Sequence, residues 1–212
     1  MKKVLSVFFA AALMLLATES YAQIYFAAGY INAQDKSVLS EKITNTTTTE
    51  KVDLNGVYAG AYYNMNLGFV DDLGLAPGIY VTTLFGKKDG ISHRDLAVNI
   101  PVNLTYSFDI TNDFKVFGFG GPALSFGLVK KASYTFEGTT HTTDYFNKDY
   151  GRTFRRANVL LGLGAGFEVA ELIQVSVGAE LGLIPQYKFE NELGGARYTR
   201  PYQLKLGVGY RF

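Results

Sequence analysis

Apolar and polar residues alternate singly along most of the chain, which indicates β-strands with two unlike faces rather than helices. In Leu96–Phe108 every second residue is large and apolar, and the residues between them are small or polar. The final segment, Tyr202–Phe212, repeats this alternation, as do Asn158–Glu168 and Gln174–Leu183. These four segments are therefore predicted to be strands.

Four noisier segments complete a set of eight predicted strands: Ile24–Asn32, Leu54–Leu67, Gly74–Lys87 and Phe114–Lys130. In the last of them, Gly120-Gly121-Pro122 predicts a bulge or bend, because proline cannot donate to a central ladder. Three connections are short: Gly68–Leu73, Asp109–Asp113 and Ala170–Ile173. The other four are polar and mostly longer: Ala33–Asp53, Lys88–His93, Lys131–Ala157 and Phe189–Pro201. Since the two kinds alternate, both chain ends are expected on the side of the short turns.

The two faces of the predicted strands distinguish a soluble β-sandwich from a membrane-spanning barrel. The apolar face is uniformly large and ends in aromatic residues such as Tyr106, Phe108 and Tyr202, as a lipid-facing surface does. The opposite face is rich in Gly, Ser, Thr and Asn, which would form a poor soluble core. The predicted fold class is therefore all-β, an eight-stranded antiparallel up-and-down transmembrane β-barrel, with a secreted sandwich as the alternative.

The first residues form a segment of a different kind. Lys2 and Lys3 precede an apolar run, Val4–Ala17, and Ser20-Tyr21-Ala22 supplies small residues where a signal peptidase cuts. This order is typical of a secretory signal peptide, and the run is too short for a spanning helix. We expect a signal peptide over residues 1–22, cleavage before Gln23, and a barrel domain over residues 23–212.

Composition narrows the classes of function. The formal net charge is +1, which excludes the basic surface that nucleic-acid binding needs. The absence of cysteine excludes disulfide scaffolds, thiolate metal sites and cysteine nucleophiles. Charged residues make up 18% of the chain, below the usual quarter for soluble domains, which agrees with a largely apolar exterior.

The terminal sequence Gly207-Val-Gly-Tyr-Arg-Phe212 and the segment Asp95–Phe108 resemble the small outer-membrane β-barrel proteins of the OmpA/OmpX type, the "outer membrane protein beta-barrel domain" family. The resemblance implies a bacterial outer-membrane location, with both termini periplasmic and four extracellular loops. It also implies that the barrel-assembly machinery reads the apolar face of the last strand. That face consists of Leu204, Leu206, Val208, Tyr210 and Phe212.

Charged residues on the polar faces are candidates for the barrel interior. Glu180 and Lys205 lie at similar heights on consecutive antiparallel strands, so we expect them to be near neighbours inside the barrel. Glu168, Arg211 and Lys115 are expected to form a second cluster nearer the periplasm. These charges could gate a narrow pore, but a structural role is favoured because an isolated buried charge costs several kcal/mol.

Basic residues flank the third and fourth long connections: Lys130, Lys131, Arg152, Arg155, Arg156, Arg197 and Arg200. One interpretation is contact with the phosphates of outer-leaflet lipopolysaccharide, which the arginine fork suits. The other interpretation is ordinary solvated loop charge, and the sequence does not separate the two.

No motif predicts a cofactor, a metal or a catalytic group. Gly162–Gly166 lies inside a strand and opens no helix, unlike a nucleotide-binding loop. The acidic stretch Asp144–Gly151 does not match a calcium loop. His93 and His141 lie in separate connections, and Ser92 beside His93 lacks a supporting motif. We therefore expect no enzymatic activity.

The function expected is structural, with four extracellular loops presented for adhesion or another surface interaction with an unknown ligand. A narrow channel for ions or very small solutes is the first alternative, and a lipid-modifying enzyme is the second.

Overall fold

The computed structural model describes residues 22–41, 46–70, 72–147, 154–190 and 196–212. The expected signal peptide lies outside this part of the chain, except for Ala22. The strands are β1 Ala22–Glu41, β2 Thr46–Asn66, β3 Leu73–Lys88, β4 Ile91–Thr111, β5 Phe114–Phe136, β6 Thr139–Asp144, β7 Ala157–Val169, β8 Ile173–Gly182, β9 Tyr187–Glu190 and β10 Ala196–Arg211. Within the described residues, no helix is long and apolar enough to cross a membrane.

Eight strands form a closed antiparallel ring in the order β1-β2-β3-β4-β5-β7-β8-β10, and β10 pairs with β1 to close it. The closing ladder is long, running from Tyr25 opposite Arg211 to Ser40 opposite Ala196. The two remaining strands are short: β6 pairs with β5, and β9 pairs with β10. The eight predicted barrel strands are thus confirmed, and ring closure removes the sheet edges that lipid could not satisfy.

The outer face of the ring carries a band of exposed apolar side chains. On β4 it runs from Ile100 to Phe108, and on β10 from Tyr202 to Tyr210. Nine residues of a tilted strand are about the length that crosses a bilayer. We call this surface the lipid-facing band. The end of the barrel with the short turns is the periplasmic end, and the opposite end is the extracellular end.

The connections at the extracellular end differ from the prediction, because strands continue far beyond the lipid-facing band. The predicted connection Lys88–His93 contains the end of β3 and the start of β4. Only Asp89 and Gly90 form the hairpin turn between them, with φ of 49° and 80°. The stretch Lys131–Ala157 contains the end of β5 and all of β6, joined by a turn at Glu137 and Gly138. Outside the membrane the outer face of a strand is in water, so the sequence there shows no apolar alternation although the ladder persists.

The predicted irregularity in β5 is present on its β4 side, where the pairing is interrupted between Gly120 opposite Leu104 and Ala123 opposite Pro101. Pairing with β7 passes through Gly121 opposite Gly162 and Pro122 opposite Leu161 without a shift. The register shifts instead at Leu128, because Gly127 pairs with Ala97 while Val129 pairs with Leu96. One extra residue exchanges the two faces of the strand beyond it. As a result, Lys130 points into the barrel and Lys131 points out.

The interior is filled in two ways. In the periplasmic half, glycines make room for aromatic rings: a Cβ on Gly164 would lie 2.3 Å from Cζ of Phe119. In the extracellular half, buried apolar side chains pack on one another. We call this cluster the apolar plug; it consists of Ile31, Ala33, Leu54, Tyr58 and Leu84. The polar interior inferred from the clearest strands therefore holds for only part of the barrel, because these residues come from the noisier strands β1–β3.

Candidate functional site

Glu180 and Lys205 meet near the middle of the barrel interior. Lys205 Nζ donates to Glu180 Oε1 at 2.5 Å, and about 15% of each side chain is exposed. Lys205 Nζ also lies 5.7 Å from the ring centroid of Tyr58. Gly162 lies beside the pair, since a Cβ there would be 3.1 Å from Glu180 Cγ. The pair crosses from β8 to β10 immediately beside the apolar plug, because Ile31 is the register partner of Lys205.

The second expected cluster is only partly assembled. Lys115 lies 3.6 Å from Asp109 and 3.4 Å from Glu171, and Arg211 lies 3.2 Å from Glu171. Within the described residues, Glu168 makes no ion pair with either cation. Glu168 is linked to Arg211 indirectly, because the Tyr25 hydroxyl interacts with both side chains. The acidic partner is Glu171, which lies in the β7–β8 turn, where strand alternation gives no direction for a side chain.

Glu168 belongs instead to a buried network of neutral donors. Its Oε2 accepts hydrogen bonds from the Tyr25 hydroxyl at 2.7 Å and from Gln174 Nε2 at 2.5 Å. Tyr62 donates to the side-chain oxygen of Gln174, and the rings of Tyr25 and Tyr62 stack with centroids 4.9 Å apart. The network joins β1, β2, β7 and β8 across the periplasmic half of the interior.

Two cavities occupy the barrel interior. The larger, of about 280 Å³, lies in the periplasmic half and is lined by Asn64, Asn103 and Glu168 among others. The smaller, of about 80 Å³, lies beside Glu180 and Lys205. Tyr58, Tyr80 and Phe119 line both cavities.

A third charged cluster was not predicted as such. Lys130 Nζ lies 2.7 Å from Asp35 Oδ2 and 2.6 Å from Asp95 Oδ2, joining β5 to β1 and β4 inside the extracellular end. The Phe154 ring centroid lies 5.5 Å from the same ammonium. Lys130 is only 8% exposed, so its expected contact with lipopolysaccharide must be corrected. The bulge at Leu128 turns it inward, and only knowledge of that bulge could have revealed the cluster.

The pKa values in this cluster, which lies beyond the lipid-facing band, follow from burial and charge. Burial alone would lower the pKa of Lys130, but Asp35 and Asp95 outweigh it and hold that pKa above its ordinary value. Burial raises the pKa of Asp95; Lys130 opposes the rise and Asp35 adds to it. The Asp95 carboxyl therefore holds its proton more firmly, chiefly because it is buried and to a smaller extent because Asp35 is a second carboxylate beside it.

The remaining cations expected to contact lipopolysaccharide are dispersed. Lys131 and Arg200 are on the outer wall, where Lys131 Nζ lies 3.9 Å from Asp144 and Arg200 stacks over Tyr198. Arg155 and Arg156 are exposed just before β7. Arg152 lies outside the described residues, and so does the side chain of Arg197.

The five residues of the expected assembly signal lie together on the lipid-facing side of β10. All are exposed, and Phe212 packs edge-on against Phe26 and Tyr210, with centroids 5.2 Å and 5.0 Å away. The backbone of Phe212 donates to the carbonyl of Ile24 at 3.0 Å, which fixes the last residue to the closing strand.

The candidate catalytic residues are not brought together. Ser92 and His93 are consecutive residues of β4, so their side chains face opposite sides of the wall. His141 stacks on Tyr134 in the β5–β6 hairpin, with centroids 5.2 Å apart. In the described ranges, no group of three His, Asp or Glu side chains could hold a metal ion.

Solved outer-membrane proteins share this arrangement only loosely. Ail, the attachment invasion locus protein of Yersinia pestis, in complex with the heparin analogue sucrose octasulfate, is 14% identical with a TM-score of 0.45; the match covers 91% of this chain and 100% of Ail. OprG from Pseudomonas aeruginosa is 13% identical with a TM-score of 0.46, over 92% of this chain and 97% of OprG. Neisserial surface protein A is 17% identical with a TM-score of 0.43, over 91% of this chain and 100% of that protein. No curated protein sequence matches the chain.

Family membership rests on the sequence itself. The family model for the outer membrane protein beta-barrel domain matches residues 8–212, nearly the whole chain. The closed antiparallel ring, its lipid-facing band and the exposed terminal strand are the structural counterparts of that match. The chain therefore belongs to the outer membrane protein beta-barrel domain family and is an integral protein of the bacterial outer membrane.

Proposed function

We propose that this protein is a non-enzymatic, non-conducting barrel that presents its extracellular hairpins for surface interaction. The observation that carries the proposal is the difference between its two ends. The interior is filled at the extracellular side, while several strands rise well beyond the lipid-facing band. Both features favour a rigid scaffold for an exposed surface over a path through the membrane.

The filled interior supports the non-conducting part of the proposal. Ile31 is completely buried and Leu54 is 2% exposed, so water does not reach these side chains of the apolar plug. Thr82 on β3, Asn99 on β4 and Leu160 on β7 are also buried, and Asn99 Nδ2 donates to the Thr82 hydroxyl at 2.8 Å. The Glu180 and Lys205 charges beside the apolar plug neutralise each other, so an ion passing here would lose its hydration without gaining an unpaired charge, at a cost of many kcal/mol.

Single-channel recording in planar bilayers tests this point, with a general porin as the positive control. We expect no steady conductance from the wild type or from a Lys205→Leu variant, because the apolar plug remains when the Glu180 pair is broken. A steady wild-type conductance that changes in Lys205→Leu would establish the alternative, a narrow channel opened through this pair. The 280 Å³ periplasmic cavity is the observation that favours that alternative.

The protruding hairpins support the surface-interaction part. The β5–β6 hairpin carries the exposed side chains Tyr134 and Phe136 near its turn, and Phe136 is 63% exposed. Cross-strand hydroxyl contacts stiffen the hairpin: Ser133 to Thr142 at 2.9 Å and Thr135 to Thr140 at 3.2 Å. Large apolar side chains held rigidly in water at a strand tip are typical of contact residues rather than of a solvated loop.

A shortened hairpin tests the surface role. Replacing residues 134–141 by Asn-Gly connects Ser133 to Thr142, which already pair, through a two-residue turn. A non-adherent bacterial strain producing the wild type should be retained on mucin- or gelatin-coated surfaces, and the shortened protein should not support this. Tyr134→Ser/Phe136→Ser keeps the hairpin length and should lose retention equally. Retention unchanged in both variants would contradict a role for this hairpin.

The non-enzymatic part is supported by Ser92 and His93 facing opposite sides of the wall, which prevents the serine–histidine hydrogen bond of a hydrolase. Mass spectrometry of lipid A from cells with and without the protein tests it. Identical lipid A species are expected, and an altered acyl chain present only with the protein would establish the enzymatic alternative. Assembly through the exposed face of β10 is part of the same proposal, and Val208→Asp/Tyr210→Ser is expected to reduce insertion by the assembly machinery.

A further inference from the structure

Six adjacent strands each carry an outward-facing cation at the extracellular end. The burial of neighbouring residues shows that these cationic side chains point outward. For example, Thr199 and Pro201 are buried on either side of the exposed Arg200. We call this set of residues the basic rim; it comprises Arg200 on β10, Lys36 on β1, Lys51 on β2, Lys87 on β3, Arg94 on β4 and Lys131 on β5. Only Lys131 and Arg200 were candidates from the sequence.

The rim is confined to one end of the barrel. At the periplasmic end, the outer face of the described strands ends in aromatic and aliphatic residues such as Phe108, Val169 and Tyr210. The cations of that end, Lys115 and Arg211, are held by Asp109 and Glu171. Outward positive charge therefore meets only one of the two membrane leaflets.

The rim contains like charges that the fold does not need. Lys36 lies directly opposite Arg200 on one side and Lys51 on the other, and like charges directly opposed in a sheet are destabilising. Arg94 and Lys131 are likewise directly opposed. Within the described residues, Lys131 is the only one of the six cations that makes an ion pair. Its Nζ lies 3.9 Å from Asp144 Oδ2, and both side chains are exposed. Such a pair contributes roughly 0–1 kcal/mol and yields easily to a better anion.

The position and geometry of the cations suit phosphate. Arg94 is the next outward residue beyond Leu96 on β4, and its guanidinium lies 5.8 Å from the ring centroid of the exposed Phe85. Lys87 occupies the next outward position after Phe85 on the neighbouring strand. Stacking on an aromatic ring leaves the edge of the arginine fork free to bind two phosphate oxygens. A diagonal pair of long cationic side chains can reach one phosphate group between them.

We propose that the basic rim binds the phosphate groups of outer-leaflet lipid, and that this lipid fixes the height of the barrel in the membrane. The inference deepens the proposed function by naming a lipid partner and its contact residues. Lipid is favoured over a soluble polyanion because the rim adjoins outward-facing apolar side chains. Arg200 is the next outward residue after Tyr202 at the end of the lipid-facing band, and Arg94 lies over the exposed Phe85. A phosphorylated amphiphile contacts both surfaces together.

Lipid-count measurements test the proposal with the intact barrel in phosphatidylcholine nanodiscs. The nanodiscs are titrated with bisphosphorylated or dephosphorylated lipid A, and bound lipid is counted by native mass spectrometry. A cation near an anionic lipid surface contributes roughly a fivefold factor in affinity. Lys87→Gln/Arg94→Gln is therefore expected to weaken bisphosphorylated lipid A binding at least about tenfold. The matched control Arg155→Gln/Arg156→Gln removes the same charge elsewhere and is expected to change it less than about twofold.

Heat-modifiable gel migration verifies that each variant is folded, and Lys36→Gln/Lys51→Gln provides a second rim variant should the first fail to fold. Equal binding of the two lipid A forms overturns the proposal, as does unchanged affinity in the rim variants. Heparin binding that needs the rim, without a preference for phosphorylated lipid A, assigns the rim to a soluble polyanion and also overturns it. The rim variants leave the barrel interior and the β5–β6 hairpin intact, so failure here is distinguishable from failure of the proposed function.

Discussion

Removing the Lys130 side-chain charge is the most direct test of how the extracellular end is held together. In Lys130→Met the carboxylates of Asp35 and Asp95 stay buried without the ammonium that now lies 2.7 Å and 2.6 Å from them. The exposed fractions are low, 10% for the Lys130 side chain and 15% and 17% for the two carboxylates. Breaking a buried ion pair by removing one partner costs about 3–5 kcal/mol, and that loss in unfolding free energy is expected.

Urea unfolding in phospholipid vesicles, followed by gel migration, measures this loss. The matched control is the triple variant Lys130→Met/Asp35→Asn/Asp95→Asn, in which the carboxylates are neutral. It is expected to recover at least half of the loss, because the cost arises from uncompensated charge. A Lys130→Met variant within about 1 kcal/mol of the wild type would refute the reasoning, as would a triple variant no more stable than the single one.

The pH dependence provides an independent check of the same cluster. The pKa of Lys130 is raised on folding, so its contribution is fully present below the unfolded value of about 10.4 and is lost as pH rises through the higher folded value. The pKa of Asp95 is also raised, so its ionisation removes stability as pH rises above the unfolded value of about 3.9. The deficit of Lys130→Met should therefore shrink as pH falls towards 4. A deficit that is constant between pH 8 and pH 4 would indicate lost packing rather than lost charge.

Three further predictions concern the rest of the barrel, each read by the same unfolding assay. Lys205→Met should cost about 3 kcal/mol because Glu180 loses its ion-pair partner, and adding Glu180→Gln should restore most of it; no restoration would contradict the pairing argument. Gly207→Ala should cost about 1–3 kcal/mol because its Cβ would lie 1.8 Å from the Tyr58 hydroxyl oxygen. Adding Tyr58→Phe should relieve part of this cost. If the losses of the two single variants simply add in the double variant, the contact is refuted. Leu163→Lys, at a 70% exposed position within the lipid-facing band, should cost about 2–4 kcal/mol in vesicles, and a smaller effect would mean that this face is not in lipid.

The extracellular ends of the strands could not be predicted from the sequence. Within the lipid-facing band, one face must be apolar and the other must not be, so β4 and β10 can be recognised from their alternation. Beyond the band, the outer faces of β1, β2 and β5 are in water, and their inner faces carry largely buried polar groups such as Asp35 and Lys130. Backbone pairing continues there without any hydrophobic contrast, and a polar strand such as β6 has the composition of a loop.

The pairing of charged residues could be predicted from the sequence only in part. Glu180 and Lys205 lie on consecutive strands joined by a connection, and counting residues along those strands was enough to bring them together. Lys130 and Asp35 lie on β5 and β1, which are not adjacent in the ring, so their contact depends on the curvature of the closed barrel. Glu171 was missed as the direct partner of Lys115 and Arg211 because its side chain is directed by a turn rather than by alternation.

The sequence by itself determined the membrane-spanning barrel, its eight wall strands and the lipid-facing side of β4 and β10, because a period of two fixes both faces once one face is apolar. The tertiary structure alone decided which charges at the extracellular end lie inside. A single extra residue at Leu128 reverses the direction of Lys130 and Lys131, and ring closure then brings Asp35 and Asp95 to the first of them. It also aligned the cations of six strands into the basic rim, since the relative heights of strands depend on register, and register depends on the pairing of the whole ring.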